Sequence, residues 1–141
     1  AWIAVRGEFA LFPIFLMLIL MLWMGGFDII YSTQDEEIDR QMGLHSVPAR
    51  FGRNKALKIA LGSHLAMLGL CLAFGVYWKM GLAWWFVFSL RTIAIAYIHL
   101  FRKSDDLDSL NRDFFLANVG ISFLVMVGLF VWILTGGTAF G

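Results

Sequence analysis

Apolar residues run almost unbroken through four segments, at about 9–31, 54–76, 81–101 and 114–135. Each is about 20 residues long, enough for an α-helix to cross ~30 Å of hydrocarbon. The breaks between them are short and polar: a loop at about 32–53, a turn at Trp78-Lys79-Met80, and a loop at about 102–113. This pattern predicts an all-α, polytopic transmembrane helical bundle with four membrane-spanning helices, in one folding unit. Pro13 falls near the start of the first span and Pro48 in a loop. Gly62, Gly69, Gly75, Gly120 and Gly128 fall inside spans, where small residues let helices pack closely.

Composition agrees with this class. The chain is 60% hydrophobic, with a mean hydropathy of +0.78. Both lie far above the norm for a soluble domain. The net charge of +1 offers no polycationic surface, so nucleic acid is excluded as a partner. The placement of charge is more informative. Arg40, Arg50, Arg53, Lys55 and Lys58 cluster in and just after the first loop, and Arg102, Lys103 and Arg112 in the second. The opposite side holds only Arg6 and Lys79. By the positive-inside rule both charged loops are expected to be cytoplasmic; the membrane is expected to be a bacterial inner membrane. Cys71 is alone, lies inside a span, and reads as a small packing residue. The opening Ala1-Trp-Ile-Ala-Val-Arg-Gly-Glu8 has no signal-peptide pattern. It reads as a connection between two helices, so further helices are expected upstream.

The chemistry concentrates where the first span meets the first loop. On a helix turning ~100° per residue, Asp28, Tyr31, Asp35 and Asp39 fall within roughly 80° of one face. Ionisable groups at a membrane boundary are costly and usually functional. Carboxylates repel a diphosphate, but they bind Mg²⁺, which is commonly held by one or two carboxylates plus substrate phosphates. Asp35 and Asp39 are the expected metal ligands, with Asp28 and Tyr31 beside them in the catalytic stripe. Glu36 and Glu37 lie off that face and are expected to be solvated. A basic group follows: His45, Ser46 and Arg50 are expected to contact substrate, since Arg matches phosphate with a planar fork of donors. Arg53, Lys55 and Lys58 fit either phosphate contact or anchoring to anionic lipid headgroups.

Other polar residues have plainer readings. Arg91, in mid-span, costs roughly 2.5–3.5 kcal/mol on insertion scales and calls for a partner or a cavity. His64 is expected to hydrogen-bond between helices. Asp105, Asp106, Asp108 and Asp113 give the second loop either helix N-terminal charges or a lid over the site. Two other functions use an acidic stripe of this kind: a small ion transporter or channel, and a CDP-alcohol phosphotransferase-like enzyme. The latter expects a D-G-x-x-A-R pattern that Gly25-Gly26-Phe27-Asp28 does not supply.

The stretch Asp28-Ile-Ile-Tyr31-Ser-Thr-Gln-Asp35-Glu-Glu-Ile-Asp39-Arg-Gln-Met-Gly43-Leu-His45-Ser46-Val-Pro-Ala-Arg50-Phe51-Gly52 resembles the second aspartate-rich motif of the UbiA-type membrane prenyltransferases. Its wording is similar to the 4-hydroxybenzoate polyprenyltransferase branch. Tyr97-Ile-His99, Asp105-Asp106-Leu107, Asn111, Phe114-Phe115 and Asn118 resemble that branch as well. The resemblance implies Mg²⁺-dependent transfer of a polyprenyl group from polyprenyl diphosphate to an aromatic acid acceptor, for ubiquinone or menaquinone biosynthesis. By position, Asp35 and Asp39 match the second-motif metal ligands, and Asp28 and Tyr31 the residues before them. His45 stands where some relatives carry Lys. The first aspartate-rich motif, of N-D-x-x-D-x-x-x-D type, is absent. The resemblance therefore implies the C-terminal part of a nine-helix prenyltransferase fold, inactive without its missing N-terminal helices.

Overall fold

The protein is described here by a computed structural model covering residues 2–101, 109, 112, 113, 115–120, 122, 123 and 126. Among these residues it is all-helical, with α1 Trp2–Arg6, α2 Leu11–Ser32, α3 Glu36–Gln41, α4 Val47–Phe51, α5 Arg53–Tyr77 and α6 Leu82–Phe101. Three of these helices are long and apolar enough to cross a membrane: α2, α5 and α6. At 1.5 Å per residue they extend about 33, 38 and 30 Å. Of the fourth predicted span, residues 115–120, 122, 123 and 126 are described, and they are helical. The rest of it, the loop residues Asp105, Asp106 and Asp108, and Asn111 and Phe114 lie outside the described residues. The chain divides into two compact units, Ala1–Lys79 and Met80–Gly141.

The first unit is built on α2 and α5. Pro13 sits in the first turn of α2, where a missing N–H leaves no helical bond unmade. Helix α2 buries Ile19, Trp23, Gly26 and Ile30, spaced four, three and four residues apart along one stripe. Helix α5 answers with Ala56, Ala60, His64, Met67, Cys71, Phe74 and Gly75. The pair is antiparallel. Phe12 near the start of α2 packs on Phe74 and Trp78 at the end of α5, with ring centroids 5.0 and 5.6 Å apart. Phe15 adds a third contact with Trp78 at 5.5 Å. Aromatic rings at such a position suit the membrane–water interface, apolar on one side and polar on the other. Everything from Thr33 to Gly52 therefore lies at the opposite end of the pair.

The closest approach comes midway. Ser63 Oγ donates a 2.8 Å hydrogen bond to the Leu22 carbonyl, a polar tie between helices in an apolar medium. One turn on, the His64 ring sits against the α2 backbone at Gly26. A methyl group there would lie 2.8 Å from both Cδ2 and Cε1 of His64, and nearer still to Nε2. His64 is fully buried, and its ring meets Trp23 at 5.6 Å and Phe27 at 6.1 Å. The His64 ring thus packs between the two helices. The glycine that permits this is Gly26. Gly62 and Gly69, expected to mediate close packing, are exposed with open space around them, whereas Gly75 is buried.

In the second unit, the Ser and Thr hydroxyls of α6 are satisfied locally. Ser89 Oγ donates to the Trp85 carbonyl at 2.9 Å, and Thr92 Oγ1 to the Phe88 carbonyl at 2.8 Å. Such back-bonding to the preceding turn lets hydroxyls enter a span without an external partner. Ile95 and Ile98 are its buried apolar residues, and Arg91 is half-buried.

The packing at Gly26 is directly testable. Gly26→Ala drives a methyl into a ring that Trp23 and Phe27 confine. It is expected to cost about 1–3 kcal/mol, read as a lowered Tm in detergent. Adding His64→Ala should relieve much of that steric penalty, and an unchanged Tm in Gly26→Ala alone would refute the close contact.

Candidate active site

The α2 helix stops at Ser32 for local reasons. Ser32 Oγ donates to the Ile29 carbonyl at 3.0 Å, and Thr33 Oγ1 to the Ile30 carbonyl at 2.6 Å. The N–H groups of Thr33, Gln34 and Asp35 then bond to carbonyls three residues back, at 3.1, 3.2 and 3.2 Å. The last turn is thereby tightened toward a 3₁₀ helix, as is common at helix ends. Asp35 leaves the helical region, at φ −98° and ψ 8°, and α3 begins at Glu36. The expectation of one continuous helix carrying Asp28, Tyr31, Asp35 and Asp39 is therefore corrected. Asp28 and Tyr31 belong to α2, Asp35 is the junction, and Asp39 belongs to α3.

Three devices shape the rest of the segment. Helix α3 closes with a Schellman motif: Leu44 N–H donates to the Asp39 carbonyl at 2.8 Å and Gly43 N–H to the Arg40 carbonyl at 3.3 Å. Gly43, at φ 70°, takes the left-handed position this motif needs. Ser46 caps α4, its Oγ accepting the Ala49 N–H at 3.3 Å, with Pro48 buried in the first turn. Ser46 was expected to touch substrate; its observed contact is this cap. Gly52 joins α4 to α5 at φ 80° and ψ 154°. That conformation is open essentially to glycine alone.

Charge is distributed unevenly over these elements. Glu36 is not a solvated residue, as its position had suggested. Its side chain is 16% exposed and receives two cations on different oxygens. Arg40 Nη2 donates to Oε1 at 2.8 Å, and Arg53 Nε lies 3.8 Å from Oε2. Sequence reasoning missed this residue, although the i, i+4 spacing to Arg40 was a visible signal. Glu37 is held by Gln41 Nε2 at 3.1 Å. Arg50 lies over the Phe51 ring at 5.3 Å and is exposed, as is His45.

The predicted catalytic stripe behaves differently. Asp28, Tyr31 and Asp35 are exposed, and Asp39 is half-exposed. Asp28 and Tyr31 lie on the side of α2 turned away from the stripe that packs on α5. Among the described residues, Asp28, Asp35 and Asp39 have no ion pair and no side-chain hydrogen bond. Even as N-cap of α3, Asp35 makes no side-chain cap bond. Among the described residues no three His, Cys, Asp or Glu side chains gather into a group able to hold a metal ion. A cation here would need oxygens from a second source beside the carboxylates.

The model of the UbiA prenyltransferase family matches residues 1–119, which include every residue of this segment. The chain belongs to the UbiA prenyltransferase family. No curated protein and no solved structure matches it. Family membership and three long apolar helices make it an integral membrane protein. They support a prenyltransferase activity, and lend nothing to a channel or a CDP-alcohol phosphotransferase.

Gly52 gives a test of the local architecture. Gly52→Ala is expected to cost about 1–3 kcal/mol, since a Cβ is poorly tolerated at this φ and ψ. Thermal unfolding in detergent would register it as a lower Tm. A Tm equal to wild type would show that the α4–α5 junction is not held in this conformation.

Proposed function

We propose that the protein transfers a polyprenyl group from polyprenyl diphosphate to an aromatic acid acceptor, 4-hydroxybenzoate, in ubiquinone or menaquinone biosynthesis, with Mg²⁺ as cofactor. The observation that carries this reading is the state of Asp35 and Asp39. Both carboxylates lack a side-chain partner in a segment where Glu36 and Glu37 each have one. Two carboxylates with no further protein ligand suit Mg²⁺, which is usually completed by substrate phosphates and water. When bound, the ion would supply charge neutralisation for the departing diphosphate. Calcium-like caging by many protein oxygens is not what these residues offer.

The remaining side chains divide the work. Asp35 and Asp39 would hold the cation at the diphosphate end of the donor. Arg50 and His45, exposed in the same segment, bind phosphate oxygens left over. Asp28 and Tyr31, on the outward side of α2, line the approach to the reacting carbon. The C–O bond between the prenyl group and diphosphate breaks, a bond forms to a ring carbon of the acceptor, and the ring then loses a proton. The segment is proposed to face the cytoplasm from a bacterial inner membrane. Arg40, Arg50, Arg53, Lys55 and Lys58 lie at this end of the α2–α5 pair, while Arg6 and Lys79 flank the other. Helices beyond those seen in this chain are proposed to complete the site with a first aspartate-rich motif.

In the full-length protein, Asp35→Asn and Asp39→Asn should each lower Mg²⁺-dependent diphosphate release from a polyprenyl donor by on the order of 100-fold, with membrane insertion intact. Near-normal transfer by either variant would sink its assigned role.

A further inference from the structure

Helix α3 is six residues long and buries none of them. So short a helix is marginal without outside support. Its N-cap residue, Asp35, supplies no side-chain cap bond. Beside its packing on α4 and its C-terminal Schellman bonds, the side-chain support visible in the structure includes Glu36. One oxygen of its carboxylate holds Arg40, four residues on in the same helix. The other faces Arg53, the first residue of α5, whose Nε is shielded from solvent. This second contact is a tertiary one, and it fastens α3 to a helix that spans the membrane.

The two cations matter for another reason. Arg40 follows Asp39 in the chain, and Glu36, which holds it, follows Asp35. A guanidinium released from Glu36 is free to pair with another carboxylate within its reach, though weakly where it meets water. Pairing with Asp39 or Asp35 would place a fixed positive charge where a divalent cation has to enter. Glu36 accepts both arginines and leaves its neighbours available.

We infer that Glu36 is a positioning residue: by holding Arg40 and Arg53 it keeps both guanidinium groups off Asp35 and Asp39 and fixes α3 against the head of α5. This rests on the reading of Asp35 and Asp39 as the cation-binding pair. Glu36 itself binds neither cation nor substrate.

The test uses the full-length protein in lipid nanodiscs, with Mn²⁺ binding followed by electron paramagnetic resonance and Mg²⁺ dependence followed by prenyl transfer. Glu36→Gln keeps the shape and removes the charge. Residues that orient metal ligands from behind are commonly worth about 10–100-fold in affinity, so Mn²⁺ should bind roughly ten-fold more weakly. The Mg²⁺ needed for half-maximal rate should rise in step, while kcat at saturating Mg²⁺ stays within about two-fold of wild type. Adding Arg40→Gln should recover much of the Mn²⁺ affinity, since the competing cation is then gone. Arg53→Gln leaves Glu36 intact and cuts only the tie to α5. It should weaken Mn²⁺ binding by roughly three-fold, in the range of a partly exposed ion pair. If Glu36→Gln does not fold, the Arg53→Gln result alone decides.

Unchanged Mn²⁺ affinity in Glu36→Gln, or a fall in kcat with unchanged Mg²⁺ dependence, would overturn the inference. Asp35→Asn separates the two levels. If it loses Mn²⁺ binding while Glu36→Gln keeps it, only the role of Glu36 fails. If it binds Mn²⁺ like wild type, the cation-binding reading fails as well.

Discussion

The first unit depends on the contact between the His64 ring and the α2 backbone at Gly26. In a bilayer, apolar surface gains little by leaving lipid for another helix, so association rests on tight packing and a few polar ties. Both occur here within one turn: the ring against glycine, and Ser63 bonded to the Leu22 carbonyl. Held at this depth, α2 and α5 run antiparallel with their aromatic ends together. The segment between them, Thr33 to Gly52, is then a closed connection with both feet anchored. Its short helices α3 and α4 could not persist on a free chain.

Within that connection the backbone is settled by neutral devices and the charges are left for other uses. Thr33 and Ser32 end α2 with hydroxyls, Gly43 closes α3, Ser46 starts α4, and Gly52 turns into α5. None of these devices draws on the side chain of Asp28, Asp35 or Asp39. The acidic residues therefore divide by partner. Glu36 and Glu37 are tied to neighbouring side chains. The aspartates, shorter and set at the ends of helices, are not. The cation and diphosphate site proposed above would benefit from this division, because carboxylates already engaged in ion pairs would have to release them first.

Much of this was legible in the chain. The apolar runs at about 9–31, 54–76 and 81–101 correspond to Leu11–Ser32, Arg53–Tyr77 and Leu82–Phe101, because uninterrupted hydrophobicity of that length has few other outcomes. The motif from Asp28 to Gly52 pointed to the family that matches residues 1–119. Three things were not legible. Helical periodicity carried Asp28 through Asp39 on one face, but it ignores the hydroxyls of Ser32 and Thr33, which bond back into their own helix and end it. Glu36 looked solvated because its partner Arg53 lies far along the chain and meets it only once α2 and α5 have packed. Gly26 was overlooked among the span glycines because the size of its neighbour is a property of the other helix.

The antiparallel pairing of α2 and α5 also constrains how the protein is made. Legs joined at mid-depth by a ring seated on bare backbone cannot invert one at a time. Whichever face of the membrane receives the first connection receives both of its anchors. Under the proposed function, donor headgroup, cation and acceptor would then all be delivered from that one compartment. The orientation chosen during insertion thus decides which cellular pools of substrate the finished protein can draw on.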